Sequence, residues 1–139
     1  MSLPSPKDFY EKYKNKPADA RKSAREIGLQ MGHQLLQNID IPSGSLEAIA
    51  AVLNEFQKAV QGDPNAKVED GKVMMRCTGF CPIMRAALTL NIPWDWLDSN
   101  FAWPMIEGIA SYIMPGITLR LPYAKSRGDP ECLYIFETG

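Results

Sequence analysis

The chain of 139 residues is long enough to form one domain with a sizeable core. Its hydrophobic content of 45% and charged content of 22% are typical of a globular protein, and its net charge of -1 argues against a nucleic-acid partner. The sequence has no apolar run near the roughly 20 residues of a membrane-spanning helix, and no signal peptide opens it. We therefore expect a cytoplasmic protein with no membrane partner.

The N-terminal region, residues 1–63, is predicted to be helical. Ser5-Pro6 predicts the start of a first helix, and Pro17 predicts the start of a second that runs to about Asn38. The clearest apolar stripe of the second helix comprises Ala24, Ile27, Met31 and Leu35. Gly28 and Gly32 either weaken this helix locally or allow close helix packing.

A third helix and then a sheet are predicted next. The third helix begins at Ser45 and ends before Gly62. From Ala66 the pattern changes to that of a β-hairpin, with a turn at Asp70-Gly71 and a second strand over residues 72–78.

The remainder of the chain alternates helices with strands. One helix follows Pro82, and another helical stretch runs from Pro93 to Met114, with a break or fresh start at Trp103-Pro104. Residues 117–121 and 132–136 predict the last two strands. The sequence thus predicts a single α+β domain over residues 1–139. Its N-terminal helices pack on a mostly antiparallel four-stranded sheet in residues 64–139, and helices are inserted between strands 2 and 3.

Two of the three cysteines lie in the strand-to-helix junction Arg76-Cys77-Thr78-Gly79-Phe80-Cys81-Pro82. A nucleophilic Cys81 would gain from the helix N-terminus, which lowers a thiol pKa. Each cysteine is alternatively a small buried hydrophobic residue, and we favour burial for Cys77 and for Cys132. We expect the fold to bring Cys132 close to the other two.

A metal site is an alternative interpretation of the three cysteines. They could bind zinc or an iron–sulfur cluster, with His33 or Asp98 completing the ligand set. The Cys-x-x-x-Cys spacing differs from the usual two-residue spacing, and the sequence has no second cysteine pair. The single histidine, His33, is as readily explained as an ordinary helix residue, and the sequence indicates no particular cofactor.

Aromatic residues concentrate in residues 94–112, as is typical of a ligand pocket, a thick core or a dimer contact. Asp98 is the carboxylate that we expect to act as a base or to orient water if it is buried against these rings. Met105, Ile106, Ile109 and Ile113 form a stripe for a homodimer contact or for the core.

The order of elements in residues 72–137 resembles the L-2-amino-thiazoline-4-carboxylic acid hydrolase-like family. It is also similar in layout to small-molecule-binding domains of the 4-vinyl reductase type. The matching positions are Cys81-Pro82, Pro115-Gly116-Ile117, and Gly128-Asp129 with Cys132. Family members often carry a further cysteine near an aspartate in the middle helical stretch, where this chain has Asp98 but no cysteine.

The resemblance implies a pocket for a small organic ligand between helices and sheet. One hypothesis is a hydrolase of small heterocyclic or amino-acid-like substrates, with Cys81 and Asp98 as catalytic residues. A second is a ligand-sensing module without chemistry, and a third is a cysteine-ligated metal domain. The predicted ligand-binding residues are Arg76, Cys77, Trp94, Trp96, Asn100, Trp103, Glu107 and Cys132.

Overall fold

A computed structural model describes residues 3–77 and 81–138. They form a mixed domain in which helices pack on a four-stranded antiparallel sheet of order β1-β2-β4-β3. The strands are β1 (Lys67–Glu69), β2 (Lys72–Cys77), β3 (Ile117–Tyr123) and β4 (Cys132–Thr138). The α+β prediction is confirmed, including the helices inserted between β2 and β3. Thr78, Gly79 and Phe80 of the predicted junction lie outside the described residues.

Three helices precede the sheet, namely α1 (Pro6–Tyr13), α2 (Pro17–Leu36) and α3 (Leu46–Ala59). Serine caps begin two of them as predicted. The Ser5 side chain accepts a hydrogen bond from the Asp8 N–H at 3.4 Å, and Ser45 accepts one from the Ala48 N–H at 3.1 Å. These bonds satisfy N–H groups that have no partner within the first turn of a helix.

Between β2 and β3 lie α4 (Pro82–Leu90), α5 (Trp94–Leu97) and α6 (Trp103–Ile113). A π-helical segment, Asp98–Ala102, joins α5 directly to α6. The fresh start predicted at Trp103-Pro104 is confirmed, because Pro104 lies in the first turn of α6. Nothing in the sequence predicted the π-helical turn, which is a rare conformation that is frequent at functional sites.

Helix α2 packs on α6 through its small residues rather than through its large apolar ones. Gly28 lies so close to α6 that an added Cβ would be 2.0 Å from the Met105 carbonyl oxygen. The buried residues of α2 are Ala20, Ala24, Gly28 and Gly32. The alternative that Gly28 and Gly32 allow close helix packing is therefore confirmed. Of the predicted stripe, Ala24 is buried, and Ile27, Met31 and Leu35 are partly buried and pack against the core.

The predicted homodimer stripe on α6 belongs to the core. Its members are at most 4% exposed, and they are Met105, Ile106, Ile109 and Ile113. Because these side chains are already covered by α2, α3 and the sheet, they are unavailable to a second copy of the chain.

The predicted β-hairpin is confirmed at Asp70 and Gly71, which have φ angles of 53° and 72°. Positive φ at both central residues gives a turn whose twist matches that of the paired strands. The register then places Val73 opposite Phe136, and both side chains are fully buried under the helices. In the described residues no helix is long and apolar enough to span a membrane.

Candidate functional site

The three cysteines converge at one end of the sheet. Cys77 ends β2 and pairs in register with Cys132, which begins β4. Cys81 is the N-cap residue of α4. The expectation that the fold unites the two cysteine regions is therefore confirmed, and the antiparallel pairing of β2 with β4 is what brings Cys132 to the junction.

Cys81 lies in surroundings that favour its thiolate. The Cys77 thiol, as hydrogen-bond donor, has the largest effect in favour of the Cys81 thiolate. The N–H groups of Met84 and Ile83 in the first turn of α4 also favour it, although neither makes a hydrogen bond of standard geometry with the Cys81 side chain. With the positive charge of Lys125 nearby, these interactions outweigh burial and lower the pKa of Cys81 from 9.0 to about 6.

The other two thiols stay protonated. The pKa of Cys77 is raised well above its ordinary value, first by the hydrogen bond of its thiol to Cys81 and then by burial and by the charge of Cys81. Burial raises the pKa of Cys132, although the Lys125 backbone N–H donates to Cys132 Sγ at 3.3 Å. The cluster therefore holds its first negative charge at Cys81, and the second ionisation is opposed by the first.

Asp98 lies in the same cluster, at the start of the π-helical segment. It is only 3% exposed, and burial raises its pKa from 3.8 to about 7. The negative charges of Cys81 and Asp95 also raise this pKa. The nearby Ser126 hydroxyl lowers it, although that hydroxyl makes no hydrogen bond of standard geometry. Near neutral pH a large share of Asp98 is thus a neutral carboxylic acid beside a thiolate.

Tyr134 is a member of this cluster that the sequence analysis missed. Burial raises its pKa well above 10.0, with further contributions from Asp98 and the three thiols. Tyr134 follows Cys132 by two residues in β4, so both side chains project from the same face of the sheet. This alternation is the sequence signal that would have identified Tyr134.

A cavity of about 320 Å³ opens beside the thiols. The side chains of Cys77, Cys81 and Tyr134 form one part of its wall. The remainder of the wall is mostly apolar, and its polar residues are Ser5 and Gln57. The apolar residues are Leu3, Pro4, Pro6, Phe56, Val60, Pro82, Ile83, Phe101, Ala102, Met105 and Ile106. Asp98 and Cys132 lie behind this wall and do not line the cavity within the described ranges.

Several predicted ligand-binding residues lie elsewhere. Trp96 packs edge-on against Tyr10 of α1 at 4.9 Å between ring centroids, and it also contacts Phe9. Arg76 is exposed and forms an ion pair with Glu131 at 2.7 Å. The structure therefore gives Trp96 a packing role between α1 and α5.

Trp103 and Glu107 line a second, more open cleft of about 470 Å³. Arg25 forms an ion pair with Glu107 at 2.9 Å across this cleft. Arg21 also lines it and donates to the Oδ1 atom of the buried Asn100 at 2.9 Å. The π-helical segment thus directs Asp98 toward the thiols and Asn100 toward α2.

His33 takes no part in the cysteine cluster. Its Nδ1 atom lies 2.6 Å from the Tyr112 hydroxyl, and its Nε2 atom lies 3.1 Å from Gln37 Nε2, on the exposed side of α2 and α6. Within residues 3–77 and 81–138, no three histidine, cysteine, aspartate or glutamate residues are grouped so that they could hold a metal ion.

The comparisons with known proteins give no relative for this arrangement. No protein-family model matches the chain, and no curated protein or solved structure matches it.

Proposed function

We propose that the protein binds a small, mostly apolar organic molecule in the 320 Å³ cavity and that Cys81 attacks this molecule as a nucleophile. The observation that carries the proposal is the position of Cys81, which is at once the N-cap of α4 and part of the cavity wall. A bound molecule would meet a sulfur whose thiolate is favoured by Cys77 and by the first-turn N–H groups of α4. The resemblance to the L-2-amino-thiazoline-4-carboxylic acid hydrolase-like family supports a small heterocyclic substrate.

The chemistry proposed is hydrolysis through a covalent intermediate. Cys81 Sγ adds to the electrophilic carbon, and the π electron pair of its double bond moves to the attached heteroatom. When the double bond re-forms, the bond to the leaving heteroatom breaks, and that heteroatom takes a proton. Water then adds to the same carbon and gives up a proton, and cleavage of the carbon–sulfur bond returns the thiolate.

We propose that Asp98 supplies the proton that the leaving heteroatom takes and that Tyr134 stabilises the charge that develops on the substrate. Asp98 carries a proton near neutral pH but does not line the cavity, whereas Tyr134, whose hydroxyl stays neutral, is one of the residues that line it. We assign Tyr134 as the hydrogen-bond donor to the charge that develops on the substrate. Because Asp98 lies behind the cavity wall, we propose that the proton it lends to the leaving heteroatom passes through a water molecule, and that Asp98 regains a proton from the attacking water.

The test is turnover of L-2-amino-thiazoline-4-carboxylic acid and related cyclic amidines, followed as addition of one water to the substrate mass. Wild type is expected to turn over at least one member of this panel, and a burst of covalent adduct is expected at Cys81. Cys81→Ser should abolish both signals, whereas Cys132→Ala, which removes a thiol outside the cavity, should retain them. Full activity of Cys81→Ser would contradict the assignment.

A ligand-binding module without chemistry is the second candidate. It is favoured by the position of Asp98 behind the cavity wall and by the largely apolar lining. This candidate predicts that a bound molecule is recovered chemically unchanged and that Cys81→Ser binds it with unchanged affinity.

A further inference from the structure

The thiols of Cys77 and Cys81 lie side by side on the cavity wall. Cys77 ends β2 and Cys81 caps α4 four residues later, and both residues line the same cavity. Their side chains interact, because each is the largest influence on the pKa of the other. Both residues line the cavity, which reaches them from outside. A reactant that enters the cavity therefore meets two adjacent thiols rather than one.

We propose that Cys81 and Cys77 form a dithiol couple that reduces organic hydroperoxides, with Cys81 as the attacking cysteine and Cys77 as the resolving cysteine. This activity is separate from the hydrolysis proposed above and shares with it only the nucleophilic Cys81. It needs a hydroperoxide as oxidant and an external dithiol as reductant. The largely apolar cavity favours a hydroperoxide with a hydrocarbon body.

The first step consumes the peroxide. Cys81 Sγ attacks the terminal oxygen of R–O–OH, a sulfur–oxygen bond forms, and the oxygen–oxygen bond breaks. The departing alkoxide takes a proton from water in the cavity and leaves as the alcohol R–OH. Sulfur is oxidised by two electrons to a sulfenic acid, and the peroxide is reduced by two.

The second step forms the disulfide. Cys77 Sγ attacks Cys81 Sγ, the sulfur–sulfur bond forms, and the sulfur–oxygen bond breaks to release water, which carries away the Cys77 proton. The external dithiol then reduces the disulfide by exchange and restores both thiols. The pair returns to its starting state with one hydroperoxide and one dithiol consumed.

Cys132 is the competing partner, and the geometry disfavours it. It lies opposite Cys77 across the β2–β4 pairing, but it is 2% exposed and is absent from the cavity wall. Its Sγ already accepts the Lys125 backbone N–H. Cys132 thus supplies a matched control, because it is a third thiol in the same cluster that does not contact Cys81 from the cavity.

The experiment treats the full chain with cumene hydroperoxide, blocks remaining thiols with N-ethylmaleimide, and maps disulfides by peptide mass spectrometry. Wild type and Cys132→Ser should lose two hydrogens and show a Cys77–Cys81 disulfide. Cys77→Ser should accumulate sulfenic, then sulfinic acid at Cys81, since no resolving thiol remains. With dithiothreitol present, wild type should release cumyl alcohol over many turnovers, at least tenfold faster than Cys77→Ser.

Two results would overturn the proposal. One is a Cys77–Cys132 disulfide as the main product, and the other is oxidation of Cys77 before Cys81. The outcome is distinguishable from failure of the proposed hydrolysis, because disulfide formation is read without any hydrolase substrate. Iodoacetamide labelling of the same samples reports separately whether Cys81 is a reactive thiolate, which both activities require.

Discussion

Cys77 lies directly opposite Cys132 in the register of β2 and β4, and its thiol donates a hydrogen bond to Cys81. Cys77 therefore connects a buried thiol of the sheet with a thiol at a helix N-terminus. The first proton lost by the pair leaves Cys81, because the Cys77 thiol stays protonated and donates its hydrogen bond to the Cys81 thiolate. The reactivity of Cys81 consequently depends on Cys77.

Removal of that donor should raise the pKa of Cys81. In Cys77→Ala the largest interaction that lowers this pKa is lost, while burial and the α4 N–H groups remain. We expect the midpoint of the alkylation rate of Cys81 with pH to rise from about 6 by roughly one pH unit or more. The measurement is the iodoacetamide rate between pH 5 and 9, and an unchanged midpoint would contradict the role of Cys77. Cys132→Ala is the control, with an expected midpoint close to that of wild type.

Asp98 should make the protein less stable as pH rises through neutrality. Its folded pKa of about 7 lies above the ordinary 3.8, so the folded state favours the neutral acid. Stability from this group is fully present below about pH 4 and is lost progressively up to about pH 7. The difference in pKa corresponds to an upper limit of roughly 4 kcal/mol.

Asp98→Asn should therefore gain stability relative to wild type at pH 8 but not at pH 4. Urea unfolding at both pH values measures the change in the free energy of unfolding. Asp40→Asn, a change at an exposed carboxylate, is the control. Its free energy of unfolding should change between pH 4 and pH 8 by the same amount as that of wild type. A constant difference between Asp98→Asn and wild type across this range would show that the carboxyl is not buried as described.

The cavity should accelerate alkylation by apolar reagents. A benzyl group buried in the cavity removes about 100 Å² of apolar surface from water, which stabilises the bound reagent by roughly 2.5 kcal/mol. This stabilisation should raise the alkylation rate of Cys81 more than about tenfold. N-benzylchloroacetamide should thus react far faster than chloroacetamide. Val60→Phe, which fills the cavity from the C-cap position of α3, should remove this preference, whereas Val68→Phe on the exposed edge strand β1 should keep it. Equal rates for both reagents in wild type would argue against an open apolar cavity.

Gly28→Ala should destabilise the whole domain. The added Cβ would meet the Met105 carbonyl oxygen, and backbone atoms of two packed helices cannot move apart without loosening the core. We expect a loss of about 3 kcal/mol or more in the free energy of unfolding, at the upper end for overpacked sites. Glu26→Ala, an exposed change on the same helix, should leave stability within about 0.5 kcal/mol.

Local signals explain the part of this fold that the sequence predicted. The serine caps, the Asp-Gly turn and the proline helix starts each act within a few residues, so they can be recognised without tertiary information. The same holds for the position of Cys81 at a helix N-terminus. For α2 the sequence left open whether Gly28 and Gly32 weaken the helix or allow close packing, because that choice depends on contact with α6.

The composition of the cluster depends on long-range contacts. Asp98 begins the π-helical segment and is close enough to Cys81 for the two charges to interact, and Tyr134 joins them through the pairing of β4 with β2. The aromatic density around Trp96 indicated a pocket, but that ring is used for packing against α1. Abundance of a residue type therefore identified the right segment without identifying which side chains face the cavity.

The most direct test of the account is the order in which the three cysteines react. Wild-type protein at pH 7 is treated with less than one equivalent of iodoacetamide, and the modified cysteine is located by peptide mass spectrometry. We expect Cys81 to carry nearly all of the label and its reaction rate to reach half of its maximum near pH 6. Labelling led by Cys77 or Cys132, or a midpoint near 9, would contradict the claim that Cys81 is the nucleophile of this cavity.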